Sequence, residues 1–190
     1  MGIEYVSGGI YMNCWKSYYT DRKYLFNRHF FISSIISIFV FILLYMALQF
    51  IYTMPLHDGY GLLFMLSILF LYPMHKFFHI MPFLNNRQAI KVHIEFYLFI
   101  LPIIQTKVMN PVKKRTFIIA ILFPFIILNS ILMILCILFP HYHHYFSILI
   151  ALHCGICTGD FIYAKILCKA PKHSLIEENE HGFEILIKNE

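Results

Sequence analysis

The stretch FIIAILFPFIILNSILMILCILF, Phe117 to Phe139, runs for twenty-three residues without a charged side chain. A bilayer core about 30 Å thick takes roughly 20 apolar residues of helix to cross. Periodicity does not separate a buried helix from a spanning one, but run length does. Three other runs have the same character: Phe30 to Tyr52; Gly59 to Met81, with His75, Lys76 and His79 near its end; and Tyr145 to Leu167, with Asp160 inside it. The expected fold is therefore all-α and integral to a membrane, with four transmembrane helices.

Composition agrees. The chain is 59% hydrophobic, 18% aromatic and 13% charged, with a mean hydropathy of +0.69. Soluble domains carry charge at about 25% of positions. The deficit is too large for a surface that faces water, so lipid must cover much of it. Phe96 to Ile104 is too short to span and holds Pro102; it is expected at the interface or folded against the bundle. Just before it, Ile90-Lys91-Val92-His93-Ile94-Glu95-Phe96 alternates apolar and polar with period two, the pattern of a strand. This strand is expected to pair with the run after Pro102 or to pack on the membrane face of the bundle. The region between helices 2 and 3 thus reads as a small strand-containing insertion. In the polar tail, Glu184 to Lys188 reads as a short strand with Gly182 in a turn before it.

Lysine and arginine set the orientation. Lys16, Arg22, Lys23 and Arg28 precede the first helix. Arg87, Lys91, Lys107, Lys113, Lys114 and Arg115 lie between the second and third, and Lys165, Lys169, Lys172 and Lys188 lie at the C-terminal end. Thr53 to Asp58 and Pro140 to His144 hold none. Both termini are expected in the cytoplasm of a multi-pass cell-membrane protein. It divides into a cytoplasmic N-terminal segment (1–29), a transmembrane domain (30–167) and a cytoplasmic tail (168–190). The net charge of +5 is then topological and gives no reason to expect nucleic-acid binding.

No secretory leader is expected, because the first apolar run starts late, is long and lacks a small-residue cleavage site. Val6 stands where myristoylation wants Ser or Thr. Cys14, Cys136, Cys154, Cys157 and Cys168 fall in cytoplasmic or membrane segments, where a disulfide framework is not expected. Gly8-Gly9-Ile10-Tyr11 before Met12 reads as translated ribosome-binding sequence, which makes Met12 the expected initiator. Codons for Gly8 and Gly9 that form no purine-rich block would overturn that reading.

Ionisable side chains inside a bilayer are costly and usually functional. His75 and His79, four apart, share one helix face and can grip one metal ion, as in the H-E-x-x-H zinc motif. His75 lies fifteen residues from Tyr60, and Asp160 fifteen residues from Tyr145. At about 1.5 Å per residue both sit roughly 22 Å from the outer boundary. Two imidazoles and a carboxylate at one level form the ligand set of many catalytic zinc sites. The alternative is a structural polar cluster, with the histidines at headgroup level, Lys76 snorkelling, and Asp160 paired with Lys76 or Lys165.

His153-Cys154-Gly155-Ile156-Cys157 has thiol-redox spacing, but an apolar helix is a poor setting for a reactive thiol. These cysteines read as small packing residues. His153 is expected to line a polar path or bond Asn129 rather than join the same ion. His141, His143 and His144 read as an interfacial outer loop.

With these features the chain resembles a family of small integral membrane proteins grouped as zincin peptidases, distantly similar to site-2-type intramembrane metallopeptidases. The resemblance runs from Met12 through nearly the whole chain. It is carried by Met-Asn-Cys-Trp-Lys-Ser, His75-Lys76-Phe77-Phe78-His79, Leu122-Phe123-Pro124, Gly159-Asp160 and a tail of the form Pro171 to Gly182. It implies a membrane zincin scaffold with zinc as cofactor and His75, His79 and Asp160 as ligands.

The departure lies at Lys76. In H-E-x-x-H the glutamate is the general base that takes a proton from the attacking water. An ammonium has no lone pair for that role, and it repels a neighbouring cation. Glu95, on the adjacent expected strand, offers a carboxylate in its place. The expectation is a catalytically degenerate protein that keeps the fold and acts by binding another membrane protein or peptide. The alternatives are an active intramembrane zinc metallopeptidase and a metal-free transport or assembly component. Short loops and the absence of repeats count against a transporter.

Overall fold

A computed structural model describes residues 4–7, 10–19, 22–83, 90–97, 101–108, 111–179 and 182–188. Gly8 and Gly9 lie outside them. Helices α1 (Arg22–Ile51), α2 (Gly61–Ile80) and α3 (Lys114–Leu138) are each long and apolar enough to cross a bilayer. A bent pair, α4 (His143–Ile156) and α5 (Thr158–Cys168), at 41° to each other and preceded by one 3-10 turn, Pro140–Tyr142, is long and apolar enough for a fourth crossing if the two halves form one span.

Lipid must be the outer solvent. Phe50 is 89% exposed and Leu62 is 79% exposed. With Phe31, Ile35, Met46, Met65 and Ile134 they form an apolar exterior that water would not tolerate as a continuous patch. Pro73 and Pro124 sit inside α2 and α3. Such prolines disrupt water-soluble helices but are accommodated in membrane bundles.

The single helix expected over Tyr145 to Leu167 is broken instead. Gly155 and Gly159 flank the break, and Thr158 Oγ1 donates back to the Cys154 carbonyl at 3.4 Å. Small residues and such back-bonding are common causes of helix bends. Gly155 also permits α1 and α4 to touch. Ser33 Oγ donates to the Gly155 carbonyl at 2.5 Å, and a Cβ on Gly155 would collide with Ser37 Oγ and meet the Ser33 carbonyl at 3.0 Å.

Strand β3 (Ile90–Tyr97) pairs antiparallel with β4 (Leu101–Val108), bringing Phe96 opposite Pro102. This is the expected insertion between α2 and α3. A second sheet was only partly legible in the sequence. It has five strands in the order β1 (Glu4–Ser7), β2 (Ile10–Tyr19), β7 (Gly182–Lys188), β6 (Leu175–Asn179) and β5 (Val112–Lys113), each antiparallel to its neighbour. Gly182 opens β7 at φ 154°, a backbone conformation that favours glycine.

This sheet gathers three distant segments at one pole of the bundle: the chain before α1, the chain before α3 and the chain after α5. Ile176, Phe183 and Ile185 bury against Ile121, Ala164 and Leu167 there. Lys114 Nζ donates to the carbonyls of Cys168 (3.1 Å) and Ala170 (2.6 Å), satisfying the end of α5.

The other pole holds the two loops without Lys or Arg. His57 N–H donates to the His141 carbonyl at 3.2 Å, and Tyr145 Oη to the Asp58 carbonyl at 3.1 Å. His143 is not in that loop. It opens α4, is fully buried, and contacts Gln49 Oε1 through Nε2 at 3.2 Å.

Candidate metal centre

The site is built on α2 and α5, which also supply Leu71 and Phe78 to one buried cluster and Ala164 and Leu167 to the cluster packed against the sheet. Helix α2 presents His75 and His79 on one face. Helix α5 presents Asp160 in its first turn, on the far side of the break. His75 Nε2 lies 3.0 Å from His79 Nε2 and 3.3 Å from Asp160 Oδ2. His79 Nε2 lies 3.5 Å from the same oxygen.

Their neighbours fix which atoms carry protons. Asn129 Nδ2 donates to Cys154 Sγ at 3.8 Å, which turns Oδ1 toward His153. His153 Nδ1–H donates to that Oδ1 at 2.9 Å, so neutral His153 has its lone pair on Nε2. His75 Nδ1–H donates to that lone pair at 3.1 Å, leaving His75 Nε2 bare. His79 Nδ1–H donates to the Ala120 carbonyl at 2.9 Å, leaving His79 Nε2 bare as well. Asp160 Oδ2 is buried and has no hydrogen-bond donor among the described residues.

In these tautomers two imidazole nitrogens and a carboxylate oxygen face one another. Zinc bonds of about 2.0–2.1 Å in tetrahedral array place neighbouring N and O ligands about 3.3 Å apart. The triangle of 3.0, 3.3 and 3.5 Å matches. It is poised to hold a metal ion, and its histidines already have the outer-shell bonds that metal-ligating histidines require.

A cavity of about 290 Å³ adjoins the triangle. Lys76, His79, Asp160 and Tyr163 line it, with Glu178 and Phe183 from the β6–β7 hairpin. Lys76 Nζ also stands 6.0 Å from the centroid of the Tyr72 ring. Sequence reading brought His75, His79 and Asp160 to one level and joined His153 to Asn129. It missed Glu178, whose strand carries no motif, and it missed that Cys157 faces His75. The side chain of Glu95 lies outside the described residues.

These features define a multi-pass membrane protein with a zincin-like cluster of two histidines and an aspartate. The chain belongs to the family described as "Putative zincin peptidase", which it matches over residues 68–175. The match takes in the histidine pair, Asn129, the broken helix and Asp160, and ends before Glu178. No curated protein and no solved structure matches the chain.

Proposed function

We propose that the protein is a membrane-embedded zincin that binds zinc through His75 Nε2, His79 Nε2 and Asp160 Oδ2, no longer hydrolyses peptides, and holds a segment of another membrane protein in the adjoining cavity. The observation that carries the metal reading is the convergence of His75 Nε2, His79 Nε2 and Asp160 Oδ2 within 3.5 Å of one another, the carboxylate oxygen buried and without a hydrogen-bond donor among the described residues. Bound there, zinc would act as a Lewis acid toward a carbonyl group. Lys76 stands where a proton acceptor is needed, and its ammonium is a donor only. It is suited to holding a peptide carbonyl or carboxylate in the cavity.

Elemental analysis of the detergent-purified chain tests the metal. One zinc per chain, lost in His79→Ala and in Asp160→Ala, is expected. Well-folded protein without zinc would sink this reading and leave a metal-free membrane component. Orientation belongs to the same proposal. The pole with the five-stranded sheet also carries the Lys- and Arg-rich segments, which favours a cytoplasmic position for the sheet and for both termini.

One observation favours a hydrolytic reading. Glu178 shares the cavity with His79 and Asp160 and so brings a carboxylate to the site from outside the motif. In that case the chain is an active intramembrane zinc metallopeptidase with Glu178 as general base. Cleavage of a reporter transmembrane peptide by the wild type, abolished in Glu178→Gln, would establish it. No cleavage by zinc-loaded wild type favours the binding protein.

A further inference from the structure

His75 has a second face. Its Nδ1 lies 3.1 Å from His153 Nε2 and 3.8 Å from Cys157 Sγ, and that sulfur lies 3.5 Å from His153 Nε2. With Zn–S near 2.3 Å and Zn–N near 2.0–2.1 Å, tetrahedral coordination sets N···N at about 3.3 Å and S···N at about 3.5 Å. The three side chains are all buried, whereas His79 and Asp160 are only partly so. His153, in the last turn of α4, and Cys157, its C-cap residue at the helix break, are four apart and share one face.

We propose that His75 Nδ1, His153 Nε2 and Cys157 Sγ form a second, inner metal position for a thiophilic cation such as zinc, occupied in alternation with the outer one. This extends the preceding reading by sharing His75 with it, and it stands on its own donor set. Each inner histidine keeps an outer-shell partner. His153 Nδ1–H stays on Asn129 Oδ1 at 2.9 Å. His75 takes the other tautomer, and its Nε2–H turns to Asp160 Oδ2 at 3.3 Å, giving the orphaned oxygen a donor. That is the carboxylate–histidine–metal arrangement common around zinc.

Alternation follows from the imidazole. A neutral ring has one lone pair, so His75 serves either the outer position through Nε2 or the inner one through Nδ1. Moving the ion inward moves the ring proton from Nδ1 to Nε2. The cysteine binds as thiolate, and its proton is released to solvent when the ion enters. No electron is transferred.

Cobalt(II) reports the thiolate directly. The full-length protein in detergent, stripped of metal, is titrated with cobalt(II) and followed by absorbance. The wild type is expected to develop a near-ultraviolet sulfur-to-cobalt charge-transfer band. Cys157→Ser, nearly isosteric, and His153→Gln are expected to lose it. His79→Ala and Asp160→Ala are expected to retain it: His79 touches only the outer position, and Asp160 reaches the inner one only as the hydrogen-bond acceptor of His75, so its loss weakens cobalt binding without removing the sulfur ligand. Helical circular dichroism and a monodisperse elution profile verify folding in each variant. Cobalt bound by the wild type without the band, no cobalt uptake by folded wild type, or a band that persists in Cys157→Ser would each overturn the inner position. Failure of the outer reading alone looks different: the band and full cobalt uptake survive in Asp160→Ala, and Cys157→Ser binds no cobalt.

Discussion

The Nε2 atom of His75 lies 3.3 Å from the Oδ2 atom of Asp160, joining the helix that bears the histidine pair to the far half of a bent helix pair. A straight fourth helix would continue α4 on its own axis. The 41° bend at Cys157 lets α5 leave that axis, with Asp160 two residues into its first turn. The break thus belongs to the site as much as the ligands do.

Lys76→Glu tests whether the base is the only missing part. If the scaffold is intact, the variant gains slow cleavage of a reporter transmembrane peptide, since a placed general base is worth about 10²–10⁴-fold. It also binds zinc more tightly, because an ammonium beside the cation is replaced by a carboxylate. Tighter zinc without cleavage would mean the cavity no longer presents a scissile bond.

Asn129→Leu removes the acceptor that orients His153 and, through it, His75. Loss of an outer-shell partner typically costs about 10–100-fold in metal affinity. Competition with a chromophoric chelator measures this. Unchanged affinity would show that the Asn129–His153–His75 chain does not set the metal site.

Gly155→Ala places a Cβ against Ser37 Oγ and the Ser33 backbone. Overpacking of this kind costs about 1–3 kcal/mol. The melting temperature in detergent is expected to fall, and Gly155→Ala combined with Ser37→Ala to recover part of the loss. An unchanged melting temperature would show that α1 and α4 do not pack this closely.

Glu177 and Glu184 stand directly opposite each other on β6 and β7. Burial, followed by the nearby Glu184 carboxylate, raises the Glu177 pKa above the usual glutamate value. A raised carboxyl pKa means the folded state holds more protons than the unfolded one between the two values. Stability is therefore lost as pH rises through that window. Glu177→Gln is expected to stabilise the hairpin by roughly 0.5 kcal/mol at neutral pH and to flatten this dependence. Amide exchange in β6 and β7 across pH reads both, and faster exchange in the variant would contradict it.

Cysteine labelling tests the two poles. In a cysteine-free background that retains only Cys168, a membrane-impermeant maleimide is expected to label inside-out vesicles but not intact cells. Asp58→Cys, as the single cysteine in a background that also lacks Cys168, is expected to show the reverse. Both cysteines labelling from the same side would rule out the paired topology.

The sequence alone determined whatever depends on length, local period and charge. Runs of twenty or more apolar residues fix the crossings, because a bilayer has one thickness. The spacing of His75 and His79 fixes a shared face, because a helix has one pitch. Counting inward from Tyr60 and Tyr145 brought Asp160 to their level, and period two disclosed β3. Rotation about each helix axis was not written there. Lipid and protein neighbours are both apolar, so a membrane helix such as α3 has no polar face to show which side turns inward. Only the tertiary structure could turn Cys157 and His153 toward His75, bury His143 against Gln49, and choose through Asn129 and Ala120 which nitrogens keep their protons. It alone brought β2, β5 and β7 from three distant segments into one sheet and set Glu178 beside the site, because such pairing is decided by backbone hydrogen bonds between segments whose separation no local pattern records.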